Sequence, residues 1–379
     1  MGFAPFTIHL PIDIGTLFTM NKHHYVAIMA GGIGSRFWPM SRTGLPKQFL
    51  DILGTGKTLI QQTFDRYNKL VKKENIFIVT AQEYVSIVKK QLPDLPEENI
   101  LAEPSRKNTA PCIAYIAFKL LQKDPEALMI AAPADHLVLE PEEFIKTAKK
   151  AFEFVGHINA LITIGIKPSY PNTGYGYIQH DTTEAAPDIY KVKTFTEKPN
   201  IELARTFIAS GDFLWNAGIF TWKVKNIVAA IEKYMPEIFE LFATEKDKFN
   251  TPEETAAIET IYPQCTNMSI DFGVMEKADN VFVIPASFGW SDLGTWNSAW
   301  ENIEKDYFGN AVVGKKVMAI DARNCVVHVP DNKLVLLQGL DEFIVVDTQD
   351  VLLICKKDKE QEIKDYVAEV KRNMGDKYL

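Results

Sequence analysis

Compact apolar runs alternate with stretches of helical period from Tyr25 to Ile166. The runs at 25–30, 75–80, 99–103, 127–132 and 160–166 are short and β-rich, which predicts buried strands. Between the first two, 58–71 repeats apolar positions at Leu59, Ile60, Phe64, Tyr67 and Leu70 with a helical period. Further helices are predicted at 83–92, from a cap at Asn108 or Thr109 to about Lys123, and at 141–154. Pro111 is tolerated in a first turn, where its missing N–H costs no intrahelical bond. Such alternation builds βαβ units. It predicts an α/β fold with a mixed, mostly parallel sheet and helices on both faces. Ligands of these sheets bind beyond the carboxyl ends of the strands. The loops starting at Gly31, Glu103 and Pro133 all fall at such ends and are expected to converge on one crevice.

The rhythm changes at Pro168. A turn-rich stretch leads into extended segments at 175–179 and 189–196, a helix at 200–210 closed by Gly211, and a strand at 213–222. Helices follow to about Thr260, then a helix near 269–277, a strand at 281–286 and a helix at 294–303. Past a boundary near 305–309, β-like runs recur between turns at 311–313, 316–320, 325–329, 333–337, 343–347 and 351–355. A polar helix at 360–372 follows. The predicted organisation is an N-terminal extension over 1–19, a large α/β domain over 20–305 and a small C-terminal β domain over 306–379.

Composition narrows the function classes. The chain of 379 residues is 46% hydrophobic and 24% charged, an ordinary globular balance with length for a large and a small domain. Its net charge of −8 argues against a general nucleic-acid binder. No apolar run reaches the roughly 18 residues of a membrane span. Cys112, Cys265, Cys325 and Cys355 lie far apart without zinc spacing, which fits a reducing cytoplasm.

The chemistry concentrates after the first strand. Gly31, Gly32 and Gly34 let the backbone turn its N–H groups toward an anion, and Arg36, Arg42 and Lys47 add cations. Together they read as a polyphosphate loop. Two familiar nucleotide motifs fail nearby: Phe37 stands where a dinucleotide fingerprint needs its third glycine, and Asp51 where the P-loop needs its first. Asp135 and Asp292 both sit in loops beyond extended segments; each alone suits a cap or turn. With a phosphate loop, the two carboxylates suit Mg²⁺. His136 is read as structural, and the seven dispersed histidines argue against zinc. Glu197 and Lys198, at a strand end, suit sugar hydroxyls and a phosphate, or a solvated strand end. The stretches 172–174 and 215–218 have the residue types of sugar contacts; Trp215 suits that role or the core, and Trp222 the core.

These pieces, taken in order, resemble the sugar nucleotidyltransferase family, most closely its mannose-1-phosphate guanylyltransferase branch. The matching strings are AGGIGSRFWP (30–39), PKQ (46–48), EPSRKNTAP (103–111), PADH (133–136), NTGYGYI (172–178), FTEKP (195–199), WNAGIF (215–220), SIDFGVME (269–276) and WSDLGTW (290–296). The glycine loop is shared across base specificities, whereas KNTAP, PADH and WSDLG favour the guanylyl branch.

The resemblance implies a Rossmann-like nucleotidyltransferase domain and a small C-terminal domain like a left-handed β-helix, a region used in homodimer contacts. It implies Mg²⁺-dependent reaction of GTP with mannose 1-phosphate to give GDP-mannose and pyrophosphate, by in-line attack without a covalent intermediate. Arg36 and Lys47 would hold the triphosphate, and Asp135 and Asp292 the metal. Gly31, Gly32, Gly34, Glu103, Asn108 and Thr109 would face the nucleotide, Lys198 the sugar phosphate, and Gly174, Glu197 and Asn216 the mannose. No histidine cluster follows His328, so the isomerase activity of longer family members is not expected. The competing expectations are a transferase for another base or sugar and a silent nucleotide-sugar-binding subunit. Retention of Arg36, Lys47, Asp135 and Asp292 speaks against the second.

Overall fold

The computed structural model describes residues 20–379, and the extension assigned to 1–19 lies outside the described residues. Packing divides the chain into two compact units. The first runs up to Gly31 and takes in Phe64–Pro133 and Val138–Trp290. The second gathers Gly32–Thr63, Ala134–Leu137 and Ser291–Leu379. The division expected from the sequence followed the chain, whereas packing collects separated segments.

The first unit is built on one sheet. Its strands are β1 (His24–Ala30), β2 (Ile76–Ala81), β3 (Ile100–Glu103), β4 (Leu128–Pro133), β5 (Leu161–Ile166), β6 (Gly176–Ala186), β7 (Ile189–Glu197), β8 (Phe213–Lys223) and β9 (Val281–Ala286). They lie in the order β3-β2-β1-β4-β8-β5-β9-β7-β6. The first four are parallel, as are β5 and β9, while β8 runs antiparallel between β4 and β5. Every residue of β2 and of β5 is buried, as expected for strands covered on both faces. Tyr25, Ala27, Phe77, Val79 and Met129 enter one core with helix Thr109–Lys123. His24, pointing the other way, stacks on Phe152 of helix Pro141–His157 at 4.1 Å. Trp222 is fully buried in the first of these cores, in keeping with its core assignment.

Parallel register fixes where the ligand-facing loops begin. Ala30 lies beside Thr80, Ala81 beside Glu103, and Met29 beside Pro133. The carboxyl ends of β1 to β4 therefore share one edge of the sheet. Two helical segments are shorter than the sequence pattern implies. The stretch near 269–277 contracts to a π-helical turn, Asp271–Met275, and 294–303 to Trp296–Asn302. In the second, Thr295 and Ser298 cap each other's backbone N–H groups, so the helix starts only after the turn that carries Asp292.

The second unit holds β10 (Ala311–Val313), β11 (Val317–Ile320), β12 (Val326–His328), β13 (Val335–Gln338), β14 (Phe343–Asp347) and β15 (Leu352–Lys356). β10, β12 and β14 stack in parallel, with Ala311 beside Val326 and Val326 beside Ile344. β11 and β13 stack likewise, with Val317 beside Val335. Successive turns of chain laid on one another in this way form a short β coil, ended by the antiparallel β15. Val326, Ile344, Val346 and Leu353 pack with Phe37, Trp38, Trp296 and Ile363, so one core ties the coil to the glycine loop and to the terminal helix Ile363–Met374.

Candidate active site

In the second unit the glycine loop closes on Lys47. Gly34 takes φ 71° and passes so close to the Lys47 side chain that an added Cβ would collide with it. The Lys47 amide donates to the Ile33 carbonyl at 3.1 Å, which fixes the loop's return. The side chain of Lys47 is only 5% exposed, and its ammonium meets Asp135 Oδ2 at 2.9 Å. It also donates to the Asp292 carbonyl at 2.6 Å. One buried cation thus joins the loops of Asp135 and Asp292, although these residues stand far apart in sequence. Burial works to raise the Asp135 carboxyl, but the Lys47 ammonium, His136 and hydrogen bonds outweigh it and hold the group below the usual carboxylate range. The Gly294 amide donates to Asp292 Oδ1 at 2.9 Å, and an added Cβ at Gly294 would collide with that carboxylate.

The cations of the loop are not equivalent. Arg36 lies on the short turn Ser35–Phe37, whose last residue is buried. Arg42 is engaged by protein partners. Its guanidinium grips Asp350 at 2.8 and 2.6 Å, and also donates to the Thr348 hydroxyl and the Pro39 carbonyl. The Arg42 bond is the first cause of the Asp350 carboxyl falling to about 2. Arg42 therefore pins the glycine loop to the turn between β14 and β15.

In the first unit, Glu103 ends β3 nearly buried, accepts a hydrogen bond from Tyr262 Oη at 2.9 Å, and is pushed up to about 7 by its burial. A Cβ added to Gly31 would sit 3.8 Å from its carboxylate, so the first glycine of the loop lies against Glu103. Asn108 takes φ 69° and caps the helix by accepting from the Thr109 amide at 2.9 Å. The Thr109 hydroxyl accepts from the Ile270 amide at 2.9 Å. Thr109 thereby braces this segment against the one that leads into Asp271, while Asn108 orders the start of the helix.

The residues assigned to the sugar show similar local order. The Gly174 amide donates to Asn172 Oδ1 at 2.7 Å. Glu197 and Lys198 pair with each other, and Lys198 takes φ 46°. An added Cβ at Gly176 would lie 2.6 Å from Glu197 Oε2, so only glycine leaves that carboxylate its place. Asn216 Oδ1 accepts from the Thr163 hydroxyl at 3.2 Å and the Gly218 amide at 3.1 Å, and its Nδ2 donates to Asp271 Oδ1 at 2.7 Å. The side chain is thus oriented with its amide hydrogens outward from an occupied oxygen. Sequence reasoning misses Asp271 as a site residue, although it lies inside the SIDFGVME string. Burial raises its carboxyl above the usual range against the Asn216 and backbone bonds, and nearby Glu197 adds to the rise. Glu276 is raised by burial and by the same two acids. An acid within a largely apolar string was the signal available.

Among the described residues no group of three or more His, Cys, Asp or Glu has metal-holding geometry, and no helix is long and apolar enough to cross a membrane.

Residues 25–307 match the family model described as nucleotidyl transferase, and 315–370 match that of the MannoseP isomerase/GMP-like beta-helix domain. The chain is 36% identical to alginate biosynthesis protein AlgA of Pseudomonas syringae pv. tomato, over 90% of this chain and 70% of that protein. It is also 36% identical to mannose-1-phosphate guanylyltransferase of Salmonella montevideo, over 91% of this chain and 73% of that one. Among solved structures, a Thermus thermophilus protein described as mannose-1-phosphate geranyltransferase superposes with TM-score 0.83 and 28% identity, over 92% of this chain and 99% of that one. These matches together cover most of the described residues: the chain belongs to the nucleotidyl transferase family, in its mannose-1-phosphate guanylyltransferase branch.

Proposed function

We propose that the chain transfers GMP from GTP to mannose 1-phosphate, releasing GDP-mannose and pyrophosphate. A phosphate oxygen of the sugar phosphate attacks the α-phosphorus of GTP in line. A bond forms between that oxygen and the phosphorus, and the bond from the α-phosphorus to the bridging oxygen of the leaving pyrophosphate breaks. No protein nucleophile takes part, so catalysis rests on positioning and charge neutralisation. The observation that carries this reading is Lys47, held by Gly34 and shared between Asp135 and the Asp292 backbone. With Arg36 it would bind the triphosphate and balance the charge growing on pyrophosphate. Gly31, Gly32, Gly34, Glu103, Asn108 and Thr109 are assigned to the nucleotide, the last two through the backbone they order. Lys198 is assigned to the sugar phosphate, and Gly174, Glu197 and Asn216 to the mannose.

The donor set fits a hard divalent cation. Asp135 is kept ionised, and two carboxylates with phosphate oxygens and water are the ligands that Mg²⁺ takes. Asp135 and Asp292 would hold it, and a bound Mg²⁺ supplies charge neutralisation at the phosphate oxygens. A reaction that consumes GTP fits a cytoplasmic location, as do the four cysteines, which are free.

The test offers each nucleoside triphosphate with mannose 1-phosphate or glucose 1-phosphate and follows pyrophosphate release with Mg²⁺ and with EDTA. The expected result is highest kcat/KM for GTP with mannose 1-phosphate, lost in EDTA. Preference for UTP or dTTP would sink the base assignment, and full activity in EDTA the metal assignment.

We also propose a homodimer formed through the C-terminal domain. Met318, Ile320, Leu334 and Leu336 are exposed on or beside β11 and β13, and Met318 pairs with Leu336. An apolar ladder on the outside of a β coil fits burial against a second copy. Light scattering is expected to give the dimer mass for the wild type and the monomer mass for the Met318→Glu/Leu336→Glu double variant. Equal masses would refute this surface.

A further inference from the structure

Arg36, the other cation assigned to the triphosphate, is held by a residue outside the matching strings. Its Nε donates to Gln361 Oε1 at 2.8 Å, across most of the length of the chain. A guanidinium held at Nε keeps both terminal nitrogens for the forked bonds that bind phosphate. Gln361 itself is exposed, but the chain on each side of it is fixed. Glu360 Oε2 accepts from the Asn297 amide at 2.7 Å, in the first turn of the helix that follows Asp292. Ile363 is fully buried, and Tyr366, Val367 and Val370 pack in the core that contains Phe37, Trp38 and Trp296. Farther on, the Trp38 indole N–H donates to the Tyr378 carbonyl at 2.8 Å. The segment after the β coil therefore touches the turn that carries Arg36 and the helix that follows the Asp292 turn.

We propose that Gln361 is a positioning residue for Arg36, presented by the C-terminal segment so that the guanidinium meets the triphosphate end-on. This rests on the assignment of Arg36 to GTP made above. An unbraced arginine must be ordered at the moment of binding, at a cost in side-chain entropy. The C-terminal segment is thereby part of the GTP half of the reaction. Contacts with a second copy are a separate matter on other residues.

Gln361→Met keeps the length of the side chain and removes the acceptor. Its kcat/KM for GTP is expected to fall about tenfold, the scale of one orienting hydrogen bond to a charged group. KM for mannose 1-phosphate and the thermal midpoint should stay at wild-type values. In an Arg36→Ala background the same substitution should have no further effect. A purely structural role would instead lower the midpoint and give the same fall in both backgrounds, which would overturn the proposal. So would wild-type kcat/KM for GTP in Gln361→Met.

A second readout does not depend on turnover. Solvent exchange of the Arg36 Nε–H, followed by 15N NMR with the signal assigned by its loss in Arg36→Ala, should be several-fold faster in Gln361→Met than in the wild type. An unchanged rate would refute the contact. Absence of GTP turnover in the wild type, with the exchange rates still different, would refute the reaction assigned above and leave the brace standing.

Discussion

Lys47→Met is expected to lower kcat/KM for GTP by about a thousandfold, the upper range for removing one preorganised charged donor. The substitution retains an unbranched side chain of similar length beneath Gly34, so the loop keeps its packing partner. What disappears is the ammonium between Asp135 Oδ2 and the Asp292 carbonyl. Two consequences separate from each other. On the proposed mechanism the transition state loses a cation opposite the leaving pyrophosphate. The fold loses one member of an ion pair whose lysine is 5% exposed and whose aspartate is 29% exposed. Fully buried pairs cost about 3–5 kcal/mol to break in this way. The partial exposure of Asp135 brings the expectation to about 2 kcal/mol, because water screens the remaining charge. Pyrophosphate release measures the first effect and urea unfolding the second. Wild-type kcat/KM in Lys47→Met would remove this residue from the chemistry.

Glu103→Gln is expected to stabilise the protein above neutral pH. The carboxyl of Glu103 is pushed up to about 7 from an ordinary value of 4.5, first by burial, with the Tyr262 bond working in the opposite direction. Between these two values the folded state binds more protons than the unfolded state, so stability falls as pH rises. The contribution of the neutral acid is fully present below pH 4.5 and fully lost above pH 7. Glutamine carries no charge to desolvate and can still accept from Tyr262. The variant should gain about 3 kcal/mol at pH 8 and nothing near pH 4. Urea unfolding at the two pH values checks this, and an equal difference at both would contradict the cause assigned. KM for GTP is expected to rise in the same variant, because Glu103 is assigned to the nucleotide.

Local patterns were legible in the sequence, and long-range partners were not. The strand at Val281–Ala286 and the cap role of Asn108 follow from periodicity and capping chemistry, both of which act over a few residues. The mostly parallel sheet followed from alternation, whereas the antiparallel place of Phe213–Lys223 depends on pairing that no local pattern records. Arg42 looked like a third phosphate ligand because Asp350, which takes its guanidinium, lies near the other end of the chain. The same distance hid the bond from Arg36 to Gln361. Asp271 was hidden differently. Its string was visible, but its link to Asn216 exists only after β8 and the π-helical turn are folded. Lys47 was named for its charge, whereas its burial between two aspartate loops is a product of tertiary packing.

The reaction is reversible in principle, and its reverse tests the assignment of base and sugar together. Purified protein is incubated with Mg²⁺, pyrophosphate and either GDP-mannose or UDP-glucose, and the nucleoside triphosphate formed is resolved by anion-exchange chromatography. GTP should appear from GDP-mannose in step with release of mannose 1-phosphate, and UDP-glucose should remain unchanged. UTP formed from UDP-glucose while GDP-mannose stays intact would contradict the proposed function.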